Sequence, residues 1–187
     1  NCNFDGLETL ESVESKISNF LIKKFDGNQV KINWIGGEDQ SSLVLGDGRP
    51  FFAKILNPKR RNRALRKSLK LEDISLSELK KISMPPKGPI AFKSKVSIII
   101  DTEKSISITQ LKKLDILKNS EIHDTGKNKK NTQKQIYKIS YKKLGKTSFL
   151  LDLLLDGGIP IKSFIQNSEI TPNVSELLEN QCRCKSL

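Results

Sequence analysis

The chain has 187 residues, enough to bury a core in one domain or in two small lobes that share a sheet. A formal net charge of +12 and a pI near 9.6 favour a polyanionic partner, with nucleic acid ahead of a membrane surface; a solvated lysine-rich surface is the alternative. No apolar run is long enough to cross a bilayer and no secretion signal is visible, so we expect a cytoplasmic protein. Three cysteines and one histidine fit neither a disulfide framework nor a zinc site, and we expect no metal.

The first predicted elements are a helix and a strand. Apolar residues recur every three or four positions over 7–25, which predicts an amphipathic helix. Val30, Ile32 and Trp34 alternate with polar residues, which predicts a strand over 29–35 with one buried face. We interpret Trp34 as a core residue; stacking on a nucleotide is the alternative.

A glycine-rich loop with two acidic residues follows this strand. Gly36 and Gly37 allow a sharp turn, and Glu38 and Asp39 come next. These residues predict a carboxylate displayed on a loop at a sheet edge. Taken alone, Asp39 could equally be a turn-forming aspartate.

Two more strands and a basic segment come after the loop. Asp47-Gly48 between apolar runs predicts a hairpin, with strands at 42–46 and 50–56. The segment 58–70 then holds seven basic residues and no acid. Because lysine and arginine contacts to phosphate supply much of the affinity for nucleic acid, we interpret it as an RNA contact rather than a solvated charged face.

The second half of the chain predicts a further set of helices and strands. Residues 84–89 are rich in proline and read as a stiff linker between lobes 1–84 and 90–187. His123 is interpreted as a loop residue rather than an acid–base catalyst. The predicted elements are a short helix over 76–82, a strand at 96–100, a helix over 107–117, a mobile polar loop over 118–134, a strand over 135–143, a strand over 149–155 covered on both faces, a helix after Pro160, a short helix over 173–179 and a strand near 181–187.

Together these elements predict an α+β fold in which helices pack against a mixed, mostly antiparallel sheet. We expect a monomer, because no heptad pattern or exposed apolar stripe calls for a partner.

Two sequence blocks carry a family resemblance. The first runs Gly36-Gly37-Glu38-Asp39 and then Leu45-Gly46-Asp47-Gly48-Arg49-Pro50-Phe51; the second is Gly158-Ile159-Pro160-Ile161-Lys162-Ser163-Phe164. They resemble Gly-Arg-Glu-Asp, Leu-Gly-x-Gly-Arg-Pro-Phe and Gly-Thr-Tyr-Ile-Lys-Glu-Phe of the tRNA pseudouridine synthases of the archaeal and eukaryotic Pus-ten type. Thr171-Pro172-Asn173 with Leu177-Leu178 resembles the block that follows.

The resemblance implies a fold, an activity and a set of site residues. We expect a pseudouridine-synthase-like domain with two lobes around a central cleft, without the N-terminal accessory domain of the family. The activity is isomerisation of uridine to pseudouridine in the T arm of tRNA, without a metal or cofactor. Asp39 corresponds to the catalytic aspartate and Lys162 to the basic residue that pairs with it. The residues expected to bind substrate or RNA are Gly37, Arg49, Lys59, Arg60, Arg61, Arg63, Arg66 and Tyr137.

The chain also departs from the family pattern. The motif arginine is Gly37, and the tyrosine that packs on the target uracil falls at Val96. Tyr137, Tyr141 and Phe92 are the candidates to replace that tyrosine. A catalytically inactive RNA-binding relative, such as a tRNA chaperone or partner subunit, is therefore the alternative function.

Overall fold

The computed structural model describes residues 12–36, 44–46, 48–86, 88, 90–124, 132–166 and 169–186. The chain divides into two compact units. Residues 1–35 and 49–88 form the first, and residues 36–48 and 89–187 form the second. The division therefore assigns the glycine-rich loop to the second unit, although both flanking strands belong to the first.

The first unit is built from one helix and two short antiparallel strand pairs. Its elements are α1 (Val13–Phe25), β1 (Gln29–Trp34), β2 (Phe51–Leu56), β3 (Leu69–Leu71) and β4 (Ile74–Leu76), with β1 paired to β2 and β3 to β4. The Ser12 side chain accepts a hydrogen bond from the Ser15 amide, and Asp26 ends α1 in the left-handed conformation. The helix buries Ile17, Leu21 and Phe25 in a core shared with Leu76.

The second unit is a six-stranded antiparallel sheet with short helices. The spatial strand order is β10-β5-β8-β7-β6-β9. Its elements are β5 (Lys93–Thr102), α2 (Ile108–Leu111), a 3₁₀ helix (Lys112–Leu117), β6 (Glu121–Asp124), β7 (Thr132–Lys143), β8 (Ser148–Asp156), α3 (Ile161–Gln166), β9 (Ile170–Thr171), α4 (Val174–Leu178) and β10 (Cys182–Ser186).

One face of this sheet carries the core. Every second residue of β8, from Phe149 to Leu155, is buried, and the residues between them are only half-buried. Phe149 packs with Phe164 and Ile165 of α3 and with Val174 and Leu178 of α4 in one cluster. The short helices thus cover the face that holds the large apolar side chains.

A bulge interrupts β7 beside the central strand. Ile136 pairs with Leu155 and Lys138 pairs with Leu154, so two residues of β7 advance for one of β8. Tyr137 is the extra residue.

The structure corrects several expectations. Residues 44–46 are not a strand, 42–43 lie outside the described residues, and β1 pairs directly with β2. Residues 76–82 form no helix, because Leu76 ends a hairpin strand and Glu78 adopts a left-handed φ of 53°. The polar segment 118–134 contains β6 and the start of β7, so His123 lies on a strand rather than in a loop.

Three further expectations change in detail. The helix expected over 107–117 is α-helical only to Leu111 and is a 3₁₀ helix beyond it. The expected strand at 149–155 is present as β8, but its second face is only half-buried. Every strand pair among the described residues is antiparallel, so the sheet there is not mixed.

Among the described residues, no helix is both long and apolar enough to span a membrane.

Candidate functional site

The two ends of the glycine-rich loop meet at a neck formed by Trp34, Ile35, Arg49 and Pro50. The Ile35 amide donates to the Pro50 carbonyl oxygen at 3.0 Å, which continues the β1–β2 ladder by one step. The Arg49 Nε donates to the Ile35 carbonyl oxygen at 3.3 Å. The Arg49 guanidinium carbon also lies 5.2 Å from the centroid of the Trp34 ring. Gly37 and Asp39, which follow Gly36 in the sequence, lie outside the described residues.

Trp34 is part of the core of the first unit. Its ring centroid lies 5.2 Å from that of Phe51, and its Nε1 donates to Glu14 Oε2 at 3.2 Å. The side chain is half-buried in the cluster that α1 covers. These contacts support the core interpretation of Trp34.

In the second unit, the Phe92 ring lies against two glycines from distant parts of the sequence. A Cβ atom built on Gly36 would lie 2.7 Å from Phe92 Cζ, and one built on Gly157 would lie 2.1 Å from Phe92 Cε2. The Gly157 amide also donates to the Phe92 carbonyl oxygen at 2.7 Å. Gly36 has a φ of +80°, a conformation that favours glycine. This contact joins the first residue of the loop to the end of β8.

Lys162 lies a few residues beyond that contact. It is exposed on the first turn of α3, and the buried Phe164 and Ile165 anchor the helix from its other side. Asp39 follows Gly36 by three residues, which is at most about 11 Å of extended chain. Gly36, three residues before Asp39, and Gly157, five residues before Lys162, both contact the Phe92 ring.

Tyr137 takes part in a charged cluster at the end of the sheet. Its hydroxyl donates to Asp156 Oδ1 at 2.9 Å, and the Lys93 Nζ lies 3.7 Å from its ring centroid. The Gln135 amide donates to Asp156 Oδ2 at 2.9 Å and lowers the pKa of that carboxyl, and the Tyr137 hydroxyl lowers it further. The same carboxylate raises the pKa of Tyr137. Nearby, Lys134 Nζ donates to the Gly157 carbonyl oxygen at 3.0 Å, which ties β7 to the end of β8.

Two of the other three positions considered for the uracil-packing role, Tyr141 and Val96, have side chains that pack against the core of the second unit. Tyr141 packs against the core, and its hydroxyl donates to Asp115 Oδ1 at 3.0 Å. Burial is the main cause of its raised pKa, followed by that hydrogen bond. Val96 is half-buried against the same core and pairs with Leu153.

The predicted basic segment is an exposed surface of the first unit that follows β2 directly. Its backbone is fastened to the end of α1, because the Lys59 and Arg60 amides donate to the Asp26 and Phe25 carbonyl oxygens at 3.1 and 2.9 Å. Its side chains are exposed at Lys59, Arg60, Arg61, Arg63 and Arg66. Within this group, Arg60 Nε lies 4.0 Å from Asp26 Oδ2, and Arg61 Nε donates to the Pro58 carbonyl oxygen at 3.4 Å.

Sequence reasoning missed a second basic surface, on the sheet face opposite the core. Lys95 and Lys138 both pair with Leu154 from either side, so their exposed side chains flank the central strand. Lys93 and Lys142 are exposed in the same alternating series. The Lys-x-Lys pattern at the start of β5 was the available signal, because side chains two apart on a strand share a face.

Comparisons with known proteins identify the family of this chain. The family model described as "Pus10, C-terminal" matches residues 3–187. The "tRNA pseudouridine synthase Pus10" of Nitrosopumilus maritimus (strain SCM1) is 44% identical over 184 residues, covering 98% of this chain and 48% of the relative. The protein of the same name from Cenarchaeum symbiosum (strain A) is 33% identical over 183 residues, covering 98% and 45%.

The chain thus spans about half the length of these curated relatives. Its match to the family model, in contrast, extends over nearly all of its residues. The chain belongs to the Pus10, C-terminal family.

Proposed function

We propose that this chain is the catalytic domain of a tRNA pseudouridine synthase, which isomerises uridine to pseudouridine in the T arm. The observation that carries the proposal is the Phe92 contact. Phe92 touches Gly36, at the start of the loop that bears Asp39, and Gly157, which leads into the helix that bears Lys162. The two family blocks are about 120 residues apart in sequence. One residue at or beside each block, Gly36 and Gly157, lies against the same Phe92 ring.

In this proposal, Asp39 acts at the ribose C1′ of a uridine that has left its base stack. The carboxylate serves as a nucleophile or assists proton removal while the C1′–N1 bond breaks. The freed uracil rotates, a C1′–C5 bond forms, C5 loses its proton and N1 gains one. Substrate and product therefore have the same composition, and the step needs no oxidant or reductant.

Lys162 would keep Asp39 ionised. A carboxylate in a partly dry pocket tends towards the neutral form, and a nearby ammonium group favours the charged form. Residues 157–161 lie between the end of β8 and Lys162, and Gly157 among them contacts Phe92.

Two basic surfaces support tRNA as the polyanionic substrate. One is the exposed segment that contains Arg60, Arg61, Arg63 and Arg66, and the other is the lysine-bearing sheet face around Leu154. Phosphate contacts of this kind provide affinity without sequence information. Specificity for one uridine would therefore depend on the pocket and on the shape of the T arm.

Tyr137 is our proposed aromatic contact to the RNA. Its hydroxyl is held by Asp156 and one ring face is covered by Lys93. Tyr137 is the residue at the bulge, because Ile136 and Lys138 are the ones that pair with β8, and its side chain is half-buried.

The second candidate is an RNA-binding protein that retains this fold without turnover. One observation favours it: Val96, at the position of the family's uracil-packing tyrosine, is half-buried against the core and offers no aromatic ring. Gly37 in place of the family's arginine points the same way.

The experiment that separates these candidates measures pseudouridine in a tRNA transcript after incubation with the wild-type chain, Asp39→Ala or Glu38→Gln. We expect product from the wild type and from Glu38→Gln, the neighbouring carboxylate being the matched control. Asp39→Ala should bind the transcript equally well and form no product.

Each other outcome has a definite meaning. Equal product from Asp39→Ala would refute the catalytic assignment. Equal binding by all three proteins with no product would favour the RNA-binding alternative. Neither binding nor product would show that docking needs a part of the protein outside these 187 residues.

A further inference from the structure

We propose that Arg49 is a positioning residue: it closes the neck of the catalytic loop by supplying a hydrogen-bond donor that Pro50 lacks. The consequence for the reaction rests on the proposed role of Asp39. The neck itself rests only on contacts between described residues of the first unit. The positive charge of Arg49 alone would suggest that it binds an RNA phosphate; the positioning role proposed here is a different one.

The register of the hairpin defines what is missing. Trp34 pairs with Phe51, so the next pair along the ladder is Ile35 with Pro50. A hydrogen-bonded antiparallel pair exchanges two bonds, one in each direction. The Ile35 amide makes the first of them, to the Pro50 carbonyl oxygen at 3.0 Å. Proline has no amide hydrogen and cannot make the second.

Arg49 supplies the second bond from its side chain. Its Nε donates to the Ile35 carbonyl oxygen at 3.3 Å, the atom that a residue other than proline at position 50 would reach with its own amide. The pair is thereby closed in both directions, immediately before the backbone enters Gly36.

The Trp34 ring holds this side chain in place. The guanidinium lies over the ring, 5.2 Å from its centroid, while Glu14 accepts a hydrogen bond from the indole Nε1 at 3.2 Å. A planar guanidinium can stack on a ring and still donate in its plane. A lysine ammonium would keep the charge but could not reproduce this combination, so Arg49→Lys separates the two roles.

Closing the neck reduces the number of conformations open to the loop and therefore narrows the range of positions that Asp39 can take. Small displacements of a catalytic group, on the order of 1 Å, can lower a rate by about 100-fold. We therefore expect Arg49→Met to lower the rate at saturating tRNA by about 10-fold to 100-fold, with little change in KM. Arg49→Lys should behave like Arg49→Met.

The decisive variant restores the backbone donor. In Arg49→Met/Pro50→Ala, the amide of residue 50 can donate to the Ile35 carbonyl oxygen, so the ladder pair closes without the arginine. We expect this double variant to recover most of the lost rate. Lys112→Met, an exposed lysine on the 3₁₀ helix, is the control for removal of a positive charge.

Amide hydrogen exchange at Ile35, followed by NMR, tests the neck without requiring activity. The amide should exchange faster in Arg49→Met and Arg49→Lys and should regain protection in the double variant. The fluorescence of Trp34, the single tryptophan of the chain, should change with Arg49→Met, while circular dichroism confirms that every variant is folded.

The outcomes distinguish the neck from the proposed function. An unchanged exchange rate of the Ile35 amide in Arg49→Met would refute the proposal that Arg49 closes the neck. A raised KM in Arg49→Met that returns to the wild-type value in Arg49→Lys would also refute it, because that is the result expected for a phosphate contact. Restored exchange without restored rate would overturn the positioning role. If the wild type forms no product, the proposed function fails with Asp39, and the exchange data still decide whether Arg49 closes the neck.

Discussion

Gly157→Ala tests the Phe92 contact most directly. Its added Cβ would lie 2.1, 2.2 and 2.4 Å from three atoms of the Phe92 ring. Reaching the 3.4 Å at which ordinary contact begins requires the ring to move by about 1.3 Å. The backbone of Phe92 cannot simply follow, because its carbonyl oxygen is bonded to the Gly157 amide. The ring must therefore rotate away from its place against Gly36.

Two measurements should register this displacement. Overpacking of this kind costs about 1–3 kcal/mol, which urea unfolding can detect. If Phe92 sets the position of the loop that starts at Gly36, pseudouridine formation at saturating tRNA should also fall by about 10-fold to 100-fold, with binding unchanged. The φ of Gly157 lies outside the left-handed region, so the alanine itself adds no backbone strain.

A double-mutant cycle with Phe92→Ala shows whether the clash is the cause. Once the ring is removed, Gly157→Ala should cost almost nothing and could stabilise by about 0.4–1 kcal/mol through the unfolded chain. An equal loss of stability in both backgrounds would refute this reasoning, because the alanine would then act through something other than Phe92.

Three further predictions concern stability. Asp156→Asn should destabilise the protein at pH 7, because it removes the charged carboxylate whose pKa is lowered chiefly by the hydrogen bond from the Gln135 amide. That stabilisation is lost as the pH falls below about 3.8, so the unfolding curves of mutant and wild type should differ at pH 7 and converge in acid; equal curves at pH 7 would contradict this. Asn173→Ala should lower the free energy of unfolding by about 1–2 kcal/mol, because the Asn173 side chain accepts the Glu176 amide at 2.9 Å as the N-cap of α4; an unchanged urea midpoint would contradict this. Burial raises the pKa of the Cys182 thiol to about 11, so the folded protein favours the neutral thiol; the resulting contribution to stability is complete below pH 9 and is lost towards pH 11. The thiol should therefore resist a disulfide reagent at pH 8 until the protein unfolds, and rapid labelling in a variant with the other two cysteines changed to serine would contradict its burial.

Sequence reasoning located elements whose signals are local. The alternation in β1, the apolar run of β8 and the spacing of Ile161, Phe164 and Ile165 after Pro160 all correspond to elements of the structure. Each pattern lies within one element, so neighbouring residues alone disclose it.

The missed elements have weak or misleading local signals. Leu76 and Leu79 have helical spacing, yet Leu76 pairs with Leu69 across a hairpin. β6 is short and lies in a polar segment in which Ile122 is buried, so composition favoured a loop.

The candidate site was predictable in part. The family blocks identified Asp39 and Lys162 as the candidate catalytic pair, and the role of each remains a prediction. The Phe92 contact could not be read from the sequence, because Gly36 and Gly157 are 121 positions apart and nothing local marks either as a neighbour of Phe92. The part assigned to Arg49 likewise depends on the register that sets Pro50 opposite Ile35.

The bulge in β7 determines how this sheet would respond to the deletion of a residue from that strand. Deleting a residue from a regular strand turns every later side chain to the other face. Deleting Tyr137 would instead bring Ile136 next to Lys138, and both already face consecutive residues of β8, Leu155 and Leu154. The core would keep its order on both sides of the deletion. A side chain at this position can therefore be acquired, exchanged or lost in evolution without a cost to the packing that holds the sheet together.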